Sequence, residues 1–353
     1  MKRIYILPLF LIFQIIFNSI LSYFPDLVEK YYSNGIYPYI SNFSRILFGK
    51  FSFSVGDVLY FFFLIYVIFA IWKSRYSWIS SWKHILLKIS GVFSVIYFLF
   101  HITWGYNYYR VPLFEKMKIQ RDYSDKDLLD FTLKLIKQTN KVHLQITNNE
   151  NLKVVFPYSV PKAFEKTLNG YNEVSKEYVF FSFQNLSIKK SLFSLPLTYM
   201  GFGGYLNPFT NEAQVNSFPP MYNFPMTSCH EMAHQIGFAS ESECNFIGFL
   251  TTIHNKDLYF QYAGYSYALR YCLANWEYRN VTIQKFLAAK INSGILNNYQ
   301  ESTIFWNNHE TFIEYGFKVF YDNFLKLNLQ EDGLDSYSKY LNLLINYYAK
   351  KDF

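Results

Sequence analysis

Charge is scarce in this chain. Of 353 residues only 17% are Asp, Glu, Lys or Arg, while 51% are hydrophobic and 22% aromatic. Such a composition excludes a disordered chain and leans away from an ordinary soluble domain. Cysteine is scarcer still. Cys229, Cys244 and Cys272 are too few, and odd in number, for a disulfide scaffold; they read as small buried apolar residues. No glycine-rich phosphate loop and no Cys-Cys zinc ribbon is present, and the net charge of +7 is spread along the whole chain. The sequence therefore offers no arm for nucleic acid, and its basic balance fits membrane flanks and general solubility.

What is abundant is uninterrupted apolar sequence. From Ile4 to Phe24, IYILPLFLIFQIIFNSILSYF carries no charge, and about twenty such residues match a bilayer core. Lys2 and Arg3 give it the basic start of a signal peptide. Its length, and the lack of a small-x-small cleavage site, favour an uncleaved anchor. A second run, VLYFFFLIYVIFAIW from Val58 to Trp72, reaches spanning length with the preceding FSFSVGD, and Asp57 lies near its boundary. The third, ILLKISGVFSVIYFLFHITW from Ile85 to Trp104, begins beside a Lys88 able to snorkel and ends beside an interfacial His101. Three spans are thus predicted, at about residues 4–24, 54–72 and 85–105, forming a membrane anchor over 1–108.

Orientation follows from basic residues. Lys2, Arg3, Lys73, Arg75 and Lys83 belong on the cytoplasmic side. The loop of about residues 25 to 53 and everything after Gly105 then face outward, although Lys30, Arg45 and Lys50 work against the bias.

Past WGYNYYR (104–110) the pattern becomes mixed. Ser124 and Asp127 mark a helix start, with Leu128, Phe131 and Leu135 at helical spacing, and Phe164, Leu168 and Tyr171 mark another helix. Residues 153–157 and 178–184 suit short strands. After residue 245 the pattern is nearly all helical, with no internal repeat or low-complexity linker. The expectation is α+β, mostly helical, with residues 109–353 as one extracytoplasmic domain large enough for its own core.

Within that domain lies NFPMTSCHEMAHQIGFASESECNFIGFL, residues 223–250. Pro225 suits a first helical turn and Gly237 the left-handed position past a helix end. Met226, Cys229, Ala233 and Ile236 form an apolar face, leaving His230 and His234 one turn apart on another stripe. Two imidazoles so spaced can share one zinc ion. Glu231, offset by about 100°, is then able to take a proton without being a ligand itself. A catalytic zinc needs a third protein ligand and an open position. Position 240 is Ser, which removes the three-His pattern, and the choices are Glu241 and Glu243. Ser240 and Glu243 have capping-box spacing, which gives Glu243 a structural duty. Glu241 is therefore preferred, with Glu243 as the alternative. Asn245, one turn on from Glu241, suits a role orienting a ligand through a hydrogen bond.

HEMAH followed by Glu241 and Asn245 resembles the gluzincin metallopeptidases, although the gap between His234 and Glu241 is shorter than in most of them. The larger pattern resembles the bacterial membrane family called domain of unknown function 3810. It rests on three N-terminal spans, WGYNYYR, GFGGYLNPFTNEAQVN, HEMAHQIGFASESECNFIGFL and GLDSYSKYLNLLI. The resemblance implies a zincin-like metallopeptidase domain in the bacterial cytoplasmic membrane. In zincins a strand upstream of the HExxH helix lines the cleft and an extended peptide adds to its edge. Gly201, Gly203 and Gly204 would let a backbone approach, and an ordinary glycine-rich turn would use the same residues. His254, Tyr262, Tyr265 and Tyr267 follow the motif, but in a chain with 33 tyrosines none stands out as a transition-state stabiliser.

The expected function is a membrane-anchored zinc peptidase with one Zn2+, Glu231 as general base, and a peptide or protein substrate. A non-catalytic zinc sensor or assembly protein is the alternative, and closure by Glu243 or Cys229 would mark it. A membrane scaffold with an incidental motif comes third.

Overall fold

The computed structural model describes residues 3–76, 81–328, 337–349, 351 and 353. Lys2, part of the second basic loop (77–80) and the start of GLDSYSKYLNLLI (333–336) lie outside the described residues. The architecture is mostly helical with one small sheet.

Two helices are long and apolar enough to cross a membrane, Val55–Ser74 and Trp82–Thr103. Most of their large apolar side chains are exposed, for example Phe62, Tyr66 and Phe93, which suits a lipid environment better than water. The first apolar helix, Ile6–Leu21, has only 16 residues and counts as a span only together with Pro25–Phe48, from which it is bent by 101°. Residues 25–48 are thus helical where a loop was expected, with a π-helical middle at Val28–Ile36. Arg45 is not the free flanking charge that the sequence suggested. It is buried, and donates to the carbonyls of Gln184 and Gln235, each at 3.0 Å.

The same ends of the apolar helices meet the rest of the chain. Asn18, near the end of the first, donates to the Tyr97 hydroxyl at 3.1 Å near the end of the third. The start of Val55–Ser74 is capped by Ser54, whose hydroxyl accepts from Asp57 N–H at 2.9 Å. The Glu212 carboxylate also accepts there, from Val55 N–H at 3.1 Å and Gly56 N–H at 2.6 Å. A buried anion at a helix N-terminus is favourable because unpaired N–H groups and the helix dipole both meet it. Asp57 in turn accepts from Leu192 N–H at 2.7 Å and from the Tyr205 hydroxyl. These contacts fix the membrane-length helix to the sheet.

That sheet has strands β1 (Ile188–Lys190), β2 (Gly204–Asn207) and β3 (Glu212–Val215) in the order β1-β3-β2. Buried β3 pairs in parallel with β1 and antiparallel with β2, leaving β2 at an edge. Neither expected strand at 153–157 or 178–184 forms. The N–H and C=O of Val154 are bonded by the Asn298 side chain, at 2.9 and 3.1 Å, where a neighbouring strand would otherwise stand. Val179–Phe181 turns into a 3-10 helix that buries Phe181.

The core is centred on helices Phe224–Gln235 and Glu241–Ile253. The second is buried from Ser242 to Ile253, between helices Val160–Glu177 and Leu258–Arg279. The predicted helix start at Ser124 is a capping box with Asp127, opening Asp125–Thr147. All three cysteines are free and buried.

Candidate metal centre

Helix Phe224–Gln235 takes Pro225 in its first turn and stops because Gly237 adopts φ +88°, a conformation that side-chain-bearing residues disfavour. Its apolar face, with Met226, Cys229 and Ala233, is buried. The two histidines project from a different stripe, their ring centroids 4.9 Å apart. The tight turn at Gly237 sends the chain directly into the next helix, so Glu241, in its first turn, comes back to face them. Glu241 Oε2 lies 3.1 Å from His230 Nε2, and its Oε1 lies 3.8 Å from His234 Nε2. One ligand atom from each of the three residues falls within 4.8 Å of the others, the group of this kind found among the described residues.

The far side of each ring is held. His230 Nδ1 donates to Asn245 Oδ1 at 2.9 Å, which also accepts from the Tyr267 hydroxyl at 2.9 Å. His234 Nδ1 donates to the Phe238 carbonyl at 2.8 Å. Trp104 reaches in from the end of the third apolar helix, donating its indole N–H to the His234 carbonyl at 3.1 Å. With Nδ1 as donor in both rings, the neutral imidazoles would each have an Nε2 lone pair for a cation beside Glu241, and without one His230 Nε2–H bonds the carboxylate. Two such nitrogens and one carboxylate are a donor set that fits zinc.

Charges in the site are set by burial and by each other. Burial would lift the Glu241 carboxyl, but the His230 bond, the two histidines and the Tyr321 hydroxyl outweigh it and hold it down at about 2. Burial pushes His234 down to about 4. Burial would lower His230 too, but its bond to Glu241 and the surrounding carboxylates raise it. Glu231 is driven up to about 8, chiefly by burial; His230 opposes the shift and Glu241 adds to it. Its Oε2 is buried with no hydrogen-bond partner among the described residues. A buried acceptor in that condition is costly unless something else occupies the site.

Glu243 stands elsewhere. Its Oε1 accepts from Leu113 N–H at 2.6 Å, and no side chain caps the start of the helix. The capping box expected from Ser240 is not made, because Ser240 pairs with the Ser242 hydroxyl at 2.9 Å while Arg110, Lys116 and the Leu113 amide draw Glu243 away. Cys229 lies on the buried apolar face. Among the described residues neither joins the three-residue cluster.

Tyr321, on helix Phe312–Leu327, donates to Glu241 Oε1 at 2.6 Å. No feature of the sequence distinguished it, since it lies eighty positions downstream of Glu241 in a chain with 33 tyrosines. Of the residues just after the motif, Tyr267 touches the site through Asn245, whereas Tyr262 bonds Asn298 in the core and His254 bonds the Leu250 carbonyl.

The cluster opens into a cavity of about 1400 Å3. Gly203 and Gly204 form part of its wall, and a Cβ built on Gly204 would lie 2.7 Å from Glu231 Oε1 and 2.6 Å from the Gln214 carbonyl. The absent side chain lets the Glu231 carboxylate lie against the edge strand.

A mostly helical protein with two helices of membrane-spanning length and a partly buried His-His-Glu cluster is thus defined. The chain belongs to the family described as Protein of unknown function (DUF3810), whose family model matches residues 32–345. No curated protein and no solved structure is significantly similar to it.

Proposed function

We propose that the protein is a membrane-anchored zinc metallopeptidase with a zincin-like domain. The observation that carries this reading is the convergence of His230 Nε2, His234 Nε2 and Glu241, with both Nδ1 atoms already engaged on the opposite side. A zinc ion held there would supply a Lewis acid able to polarise a carbonyl and bring the pKa of water toward about 7.

The chain's own residues would do the rest. Glu231 neighbours His230 in sequence and has an unpartnered carboxylate oxygen, which suits a group that takes a proton from water and later passes it to a leaving amine. Burial in an apolar setting keeps its basicity near neutrality. Asn245 and the Phe238 carbonyl would hold the imidazoles in orientation. Edge strand β2 would receive an extended substrate backbone by strand addition. Tyr321 would brace Glu241 from the opposite helix.

The site would face outward from the bacterial cytoplasmic membrane, with Arg3, Lys73 and Arg75 on the cytoplasmic side. This agrees with the way the apolar helices run. The ends next to the domain are opposite to the starts of the first and third helices and the close of the second.

The test is metal analysis of the full-length protein purified in detergent, with peptide cleavage before and after chelation. One zinc per chain, lost in His230→Ala, and cleavage lost in Glu231→Gln with metal retained, are expected. A metal-free wild type, or equal inertness of wild type and Glu231→Gln across broad peptide substrates, would sink the reading.

A further inference from the structure

The cavity at the cluster does not end within the domain. One continuous space is walled by His230 and Glu241 at one side and by Ile15, Phe93 and Ile96 of the first and third apolar helices at another. Its volume, about 1400 Å3, exceeds the roughly 300–1,000 Å3 of ordinary small-ligand pockets. Helix Phe312–Leu327 forms a further wall through Phe317, Phe320 and Phe324, and it carries exposed Phe312, Tyr315 and Leu327. An amphipathic helix showing so much apolar surface beside membrane-length helices is suited to lie in the interface.

The lining on the membrane side is not uniformly apolar. Asn18, Ser19 and Ser22 of the first helix and Tyr97 of the third face the same space, whereas their neighbours Phe13, Ile16 and Phe17 are exposed on the outside. Asn18 Nδ2 is held by the Tyr97 hydroxyl and Ser22 by the Ser19 carbonyl, but Asn18 Oδ1 is buried with no partner among the described residues, and polar groups so placed cost free energy unless they serve a pathway or a partner. An acyl chain would gain nothing from them. A polypeptide entering in extended form would, because at membrane depth every backbone N–H and C=O needs a partner. Edge strand β2 lines the space as well, through Gly204, Tyr205 and Leu206, and can supply main-chain bonds to a guest strand.

We infer that this site takes a polypeptide whose apolar, membrane-embedded segment adjoins the stretch lying on β2, entering sideways between the first and third apolar helices and helix Phe312–Leu327. The inference rests on the peptidase reading for what happens to the bound chain, but not for the binding itself.

The experiment uses the full-length Glu231→Gln protein in phosphatidylethanolamine–phosphatidylglycerol vesicles, with a photo-crosslinking phenylalanine at position 93 or 320. The probe is a synthetic peptide with a Leu/Ala segment of about twenty residues, long enough to span, followed by a polar extension. The extension alone and a photoactivatable phosphatidylglycerol are the comparisons. The anchored peptide should label both positions and be displaced by its unlabelled copy, and the extension alone should bind at least about tenfold more weakly, a difference of about 1.4 kcal/mol. Ile96→Trp, which fills the cavity, should cut labelling by a similar factor. Should that variant fail to fold by its melting profile, the comparison of anchored and unanchored peptides decides alone. Equal binding of the two peptides, labelling indifferent to a folded Ile96→Trp, or labelling by the lipid that excess peptide does not reduce would each overturn the inference. Labelling by the anchored peptide without cleavage by zinc-loaded wild type would uphold this substrate class while defeating the peptidase reading. Cleavage of a soluble peptide as fast as the anchored one would do the reverse.

Discussion

Tyr37 donates its hydroxyl to the carbonyl of Gln235, 2.8 Å away, joining two residues 198 positions apart. Gln235 follows His234 at the end of the helix that carries both imidazoles. Arg45 donates to the same carbonyl at 3.0 Å, and Asn211 donates to the Tyr37 hydroxyl at 2.9 Å. The segment between the first two apolar helices is therefore part of the frame that holds the His230–His234–Glu241 cluster, not a separate spacer.

Arg45→Met should consequently destabilise the protein by about 3 kcal/mol, because it strips charge-assisted bonds from buried carbonyls, while Tyr37→Phe should cost about 1 kcal/mol. Thermal unfolding of the detergent-solubilised protein checks both. A melting temperature unchanged in Arg45→Met would show that the segment does not support the site.

Asn245→Leu should weaken zinc binding by about 10–100-fold, the usual effect of losing a group that orients a ligand histidine. Asn245→Asp, which keeps an acceptor for His230 Nδ1, should retain most of the affinity. Competitive chelator titration separates the two variants. Equal affinities would mean that the 2.9 Å bond to His230 carries no weight in holding the ring.

Gly204→Ala should leave zinc content intact and abolish peptide cleavage. The new methyl group would lie within 2.7 Å of both Glu231 and the Gln214 carbonyl, so either the carboxylate or the edge strand must shift, at a cost of about 1–3 kcal/mol. Cleavage rate measured beside metal content is the readout, and full activity would argue that Glu231 acts from another position.

Stability should fall in mild acid through His143. Its Nε2–H donates to the Leu152 carbonyl at 2.8 Å, and its Nδ1 accepts from the Asn292 amide at 3.1 Å. Burial lowers its pKa, and the Leu152 bond and Glu150 oppose the shift without cancelling it. The folded pKa thus lies below the unfolded one, so the unfolded chain binds the proton first. The contribution is complete above the unfolded value, about 6.5, and declines as pH drops from there toward the folded value, by at most about 1.4 kcal/mol per pH unit. Denaturant titrations between neutral pH and pH about 5, compared with His143→Gln, should show the wild type losing the steeper share. Parallel pH profiles would remove His143 as the cause.

Much of this was legible because it depends on short range. Pro225, Gly237 and the four-residue spacing of His230 and His234 are properties of one helix, and the capping box at Ser124 closes within three residues. The strands misled where a partner was needed. Val154 has its backbone groups bonded by a side chain, not by a strand, and a pattern of alternating residues cannot report that. Ser240 and Glu243 have the letters of a capping box, yet a cationic pair and the Leu113 amide compete for the carboxylate from far along the chain.

By itself the sequence determined that two imidazoles share a helical turn and that long apolar runs precede them, since both follow from backbone period and side-chain chemistry alone. Only the tertiary structure shows that Glu241, and not Glu243, stands beside the two histidines. Two residues apart, they point about 200° from one another around the helix, and which one meets the histidines depends on how that helix docks. The same docking brought Tyr321, Trp104 and the walls of the cavity to the site, through contacts between segments that no local pattern relates.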